Sequence, residues 1–269
     1  MTVRVLAYEL RRLRGLRSTW LILAAVLLVD AAVAAVLARQ LPGGELGPTA
    51  AVRCLTAVVP LLPLPIAALG AGALGALSYG HEVRYPGLVA GRVSFGRRCR
   101  LLIGKLAVTG PVAALLATAT VLLNAAVVLA GAAPGAGTAV LTDPASAAFA
   151  ELLRPLGLFV GLTVLAAWSG LLLTSLLRSA AAGLLVLCTV PALLEPALTL
   201  LLRRSGRGWP AQARELLPFQ YGLDLVRGVD PQRLGTGPAV DGTFAAAVLA
   251  PIALLLVVAV LAQVRRRAL

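Results

Sequence analysis

An all-α protein that threads a lipid bilayer six times is the fold this sequence predicts, on three observations. The 269 residues are 59% hydrophobic and 13% charged, with a mean hydropathy of +0.93, whereas a soluble domain averages ~45–50% apolar and ~25% charged. Six apolar runs recur, each near the ~20 residues a helix needs to cross the hydrocarbon core. They show little of the period-2 alternation that marks the ~10-residue strands of a membrane barrel. The same composition excludes a disordered chain, a collagen-like fibre, a disulfide-rich secreted module and a water-soluble enzyme.

Along the chain, residues 1–17 read as an amphipathic interfacial helix, with Val3, Leu6, Ala7, Leu10 and Leu13 on one face and Arg4, Arg11 and Arg12 on the other. Its apolar side would lie in a leaflet while each guanidinium near anionic headgroups contributes ~1 kcal/mol. The spans follow at residues 20–38, 54–79, 106–130, 155–177, 179–202 and 244–264. The first is longer than the ~7–15-residue core of a cleavable signal, so it is read as a span. Pro60, Pro63 and Pro65 fall in the second; each removes a backbone donor, and this helix is expected to be broken or bent. Gly70, Gly72, Gly75, Gly157 and Gly161 are expected to let helices approach closely. Trp20 is expected at headgroup depth and Trp168 in interior packing.

Asp30 in the first span and Glu195 in the fifth are the two acids within the spans. A mid-bilayer carboxylate costs ~2.5–3.5 kcal/mol on insertion scales, so each needs a partner or a purpose. Two readings stand: a polar translocation pathway or proton relay, or an acid made neutral or paired with Arg at a helix interface.

Charge sets the orientation. With the amino terminus inside, fifteen of the 24 basic residues lie on the inner side, clustered at Arg4–Arg17, Arg84–Lys105 and Arg265–Arg267, and nine lie outside with most of the acids. That bias places both termini in the cytoplasm. The outer segment 203–243 carries six Arg, but loops of ~40 residues translocate with less regard to charge. Its Leu216, Leu217, Pro218 and Phe219 predict short interfacial pieces.

The inner loop 80–100 mixes charges, turn formers and apolar residues over a length that mere chain reversal does not need. Glu82, then Gly87 in a turn, Val89, Val93 and Phe95 as apolar contacts, then Arg97, with Lys105 entering the next span, is similar to the coupling segment of type 2 ATP-binding-cassette export permeases. The resemblance extends to the order of parts over almost the whole chain: an amphipathic first helix, six spans and a long outer loop before the last. Leu88 stands where the family often has Thr, and Pro86 is an addition.

The resemblance implies a single permease domain over residues 1–269, working with a second permease copy as a homodimer. It also implies a separate nucleotide-binding ATPase subunit that receives Glu82, Gly87, Val89, Val93, Phe95, Arg97 and Lys105. The chain itself lacks a G-x-x-x-x-G-K-[ST] phosphate cradle. Cys54, Cys99 and Cys188 lack metal or disulfide spacing, and His81 is the only histidine. No cofactor, metal or catalytic residue is therefore expected, and no nucleic-acid partner. The partners expected besides protein are membrane lipids. With 23 Arg to one Lys, the composition resembles that of a GC-rich bacterium, and the location expected is the bacterial cytoplasmic membrane. Two other classes compete: an ion-coupled secondary transporter using Asp30 and Glu195, and a non-transporting membrane assembly protein.

Overall fold

A computed structural model of the chain describes residues 3–40, 46–59, 62, 64–84, 95–131, 139–143, 147–195, 197, 200–201 and 252–260. Among these residues the regular structure is helical throughout. The helices are α1 (Val3–Gly15), α2 (Arg17–Arg39), α3 (Pro48–Thr56), α4 (Ile66–Arg84), α5 (Phe95–Gly131), α6 (Ala139–Thr142), α7 (Ala147–Leu177) and α8 (Ala180–Thr189), the last running into a π-helical turn at Val190–Leu194. Residues 252–260 are also helical.

Three of these helices are long and apolar enough to cross a membrane, within Arg17–Arg39, Leu101–Gly131 and Glu151–Leu177. They contain the first, third and fourth predicted spans. The second and fifth correspond to shorter apolar helices at Ile66–Gly80 and Ala180–Leu194, and the described part of the sixth is limited to residues 252–260. Side chains are distributed as lipid requires. Leu28 is 71% exposed while Asp30, two residues away, is 0% exposed. Leu21, Leu115, Leu122 and Leu185 also face outward, whereas Thr120, Asn124, Thr163 and Thr174 are buried. A water-soluble bundle places these classes the other way round.

The second predicted span is divided. α3 starts at Pro48, before the predicted boundary, and ends at Thr56. Ala57 then takes a left-handed conformation (φ 47°), and the next described helix starts at Ile66. The expected break is present, but it separates two helices instead of bending one. Non-helical backbone away from water is tolerated when protein covers it, and Ala57, Val58 and Leu64 are buried. Pro111 and Pro155, by contrast, are accommodated inside continuous helices.

α4 and α7 form the most extensive contact, and α5, α3 and α8 gather around α7. A β-carbon added at Gly75 would overlap the Ala167 carbonyl, and one at Gly170 would overlap that of Gly72; the two backbones meet with nothing between them. Gly70 likewise lies against Val26 of α2. Gly157 and Gly161 depart from expectation, because a β-carbon at either meets open space. Trp168 packs inward as expected, its indole N–H donating to the Leu106 carbonyl at 3.0 Å, and Trp20 is exposed. The α7–α8 reversal uses Arg178 at φ 54° and the Ser179 side chain, which accepts from the Ala182 N–H.

Gly75→Val is expected to lower stability by ~1–3 kcal/mol through overpacking. Gly157→Ala, which fills no occupied space, should be neutral or gain up to ~1 kcal/mol of helix propensity. Thermal unfolding of the detergent-purified variants measures the difference.

Candidate functional site

α1 is the amphipathic helix expected at the amino terminus, but the face it buries differs from the predicted one. Glu9 and Leu13 are buried and Leu10 points outward. Leu6, Glu9 and Leu13 follow the i, i+3 and i+4 spacing of one helical stripe, so an acid sits in the middle of the side applied to the bundle. A break at Leu16, whose backbone is extended, separates α1 from α2. The Trp20 indole N–H donates across it to the Arg14 carbonyl at 2.9 Å.

Glu9 meets Lys105, which is 1% exposed near the start of the apolar part of α5. Lys105 Nζ lies 3.1 Å from Glu9 Oε1 and 3.0 Å from Oε2, and donates a third bond to the Ser78 carbonyl of α4 at 3.3 Å. An ammonium has three donors, and here each finds an acceptor. Ser78 Oγ in turn donates to the Gly75 carbonyl at 2.7 Å. The charges are out of water, where attraction offsets desolvation only with good geometry and complete hydrogen bonding. The bidentate arrangement meets that condition and ties α1, α4 and α5 at one point.

A second polar group lies between α2, α3 and α5. Asp30 is fully buried with Thr120 as its polar neighbour, yet neither carboxylate oxygen nor Thr120 Oγ1 completes a hydrogen bond. One turn along α5, Asn124 Nδ2 donates to the Leu55 carbonyl at 2.9 Å. That carbonyl belongs to the last turn of α3, where no following helical N–H is available. Asn124 therefore caps the broken helix, leaving its Oδ1 without a partner.

The residues predicted to dock a partner are distributed as follows. Lys105 faces inward to Glu9 and Ser78. Glu82 lies near the end of α4, and Phe95 and Arg97 open α5; their side chains lie outside the described residues, as do Gly87, Val89 and Val93. Thus α4 and α5 flank the predicted coupling segment, and the Lys105 contact lies on the same pair of helices. Asp30 and Glu195 are both buried, but α2 packs on α5, α4 and α3, whereas α8, which leads to Glu195, packs on α7 and α4. Glu195 follows the π turn containing Pro191. Cys54 and Cys188 are free thiols.

Glu9, Thr120 and Asn124 were not singled out by the sequence reading. Each carries a signal: Glu9 is the one acid within a basic amphipathic helix, and Thr120 and Asn124 stand four residues apart in an uncharged span, with Asn124 its only amide side chain. Comparison with protein-family models and with curated proteins finds no match to the chain.

Glu9→Gln or Lys105→Met alone is expected to destabilise by ~3–5 kcal/mol, because the remaining charge is buried without its counterion. Glu9→Leu combined with Lys105→Met should cost markedly less than the sum. A double-mutant cycle read by thermal or denaturant unfolding tests this coupling.

Proposed function

We propose that the chain is the membrane permease subunit of an ATP-driven exporter of the ATP-binding-cassette class, with six spans, both termini in the bacterial cytoplasm, and two permease copies enclosing the pathway. A separate ATPase subunit docks on residues 80–100 through Glu82, Gly87, Val89, Val93, Phe95 and Arg97. ATP binding on that partner moves the segment, and the movement biases the permease between two openings of its pathway.

The observation that carries this reading is the buried contact of Lys105 with Glu9 and Ser78. A coupling segment transmits force only if the helices on either side of it are held to the rest of the bundle. α4 and α5 flank the segment, and Lys105 fastens both to α1. Displacing the segment then moves the interfacial helix together with two spans instead of deforming a loop. Lys105 thereby serves the coupling from within the bundle, as a positioning residue.

The buried carboxylate of Asp30 favours a second reading, an ion-coupled carrier. Transport driven by an ion gradient without ATP would select it.

Purification of the chain should bring with it a soluble subunit carrying a P-loop, and deletion of residues 83–96 should abolish the association. Glu82→Ala or Arg97→Ala is expected to weaken docking about tenfold, equivalent to ~1.4 kcal/mol, and to lower transport-coupled ATPase activity more than membrane assembly. Unchanged association in the deletion variant and unchanged coupling in both point variants would contradict the docking assignment.

A further inference from the structure

We propose that Asp30, Thr120 and Asn124 form an intramembrane site for a single positive charge, either a proton or an alkali-metal cation. Three side chains on two helices that pack together, α2 and α5, are each 0% exposed. Four of their oxygens have no hydrogen-bond partner: Asp30 Oδ1 and Oδ2, Thr120 Oγ1 and Asn124 Oδ1. Thr120 faces the carboxylate, and Asn124 stands on the same face of α5 one turn away, a spacing that makes such residues neighbours. The Asn124 amide is held in place by its bond to the Leu55 carbonyl, so Oδ1 is not free to exchange roles with Nδ2 without losing the cap on α3.

The cluster is rich in acceptors and poor in donors. A carboxylate contributes acceptors only, the Asn124 amide has one of its two donors committed to the Leu55 carbonyl, and the Thr120 hydroxyl supplies one more proton against four unpartnered oxygens. What such a site lacks is positive charge. No charged side chain among the described residues supplies it. α4 is uncharged from Ile66 to Gly80, the Glu9 and Lys105 charges face each other, and Arg53 of α3 is exposed. Thr120 is the donor that faces the carboxylate, and neither acid oxygen completes a hydrogen bond with it.

The chemistry limits the occupant. One carboxylate balances one positive charge, and a divalent ion would leave an uncompensated charge away from water. Oxygen ligands select hard ions over the metals that thiolates and imidazoles hold. A proton would bridge the carboxyl group to Thr120; an alkali cation would gather the same oxygens. Either occupant locks α2 to α5, and parting these helices would release it. The site follows from the packing of α2, α3 and α5 and is independent of the docking of an ATPase.

The test uses the full chain in lipid nanodiscs. Thermal stability is measured against NaCl and KCl at fixed pH, with choline chloride holding ionic strength constant, and the carboxyl region of the infrared spectrum is recorded across a pH titration. A Tm that climbs with the logarithm of alkali-ion concentration, as binding to the folded state alone requires, and that becomes flat in Asp30→Asn, assigns an alkali cation. A carbonyl stretch of a protonated acid at neutral pH, lost in Asp30→Asn and shifted in Thr120→Val, assigns a proton. Should Asp30→Asn fail to fold, Thr120→Val still reads the site through the same band and the same salt dependence. An ionised carboxylate at neutral pH, with stability indifferent to Na⁺ and K⁺, would overturn the proposal.

Discussion

Hydrocarbon outside the bundle is the constraint on which the rest depends. Lipid accepts Leu28 and Leu122 on the surface but offers no hydrogen bond to a charge, so a charged side chain in a span must turn toward another helix, whereas an exposed hydroxyl such as that of Thr118 bonds its own helix backbone. Once that is required, the positions of Glu9, Lys105, Asp30 and Asn124 follow together. The Glu9–Lys105 pair is the clearest case. Its two charges come from helices 96 residues apart in sequence, and neither can be buried alone without a penalty of several kcal/mol. The pair therefore specifies which face of α1 meets α5, and where along α5 the contact occurs.

The same constraint explains the interruption between α3 and α4. A helix that stops inside the protein, as α3 does at the buried Leu55 and Thr56, leaves carbonyls that water cannot reach. Asn124 answers one of them, and the neighbouring non-helical residues are covered by protein. Proline alone does not impose this outcome, since Pro111 and Pro155 sit within unbroken helices. The difference is local density: Pro60, Pro63 and Pro65 remove three donors within six residues, more than a single turn of helix can spare.

Helix class, the approximate limits of the long apolar helices, and the amphipathic start were legible because hydropathy and periodicity report directly on the contrast between lipid and headgroup. The close α4–α7 approach at Gly72 and Gly75 was legible for the same reason that Gly157 and Gly161 misled: a small residue permits contact but does not say which neighbour arrives. The charged site was half visible. Lys105 was picked out at the entry to a span, yet its partner is set by the packing of distant segments, and one-dimensional spacing cannot reveal that Glu9 and Ser78 converge on it. Asp30 was conspicuous as an acid in a span, while Thr120 and Asn124 acquired meaning only when α5 was laid against α2 and α3.

Spin labels placed singly at Leu28, Leu115 and Leu122, with the protein in lipid nanodiscs, test the lipid-facing surface most directly. Collision with molecular oxygen, which concentrates in the hydrocarbon, should be frequent at all three positions, and collision with a water-soluble nickel chelate rare. Frequent collision with the chelate at these positions would mean that the outward leucines face water, and the account of why the charges turn inward would fail.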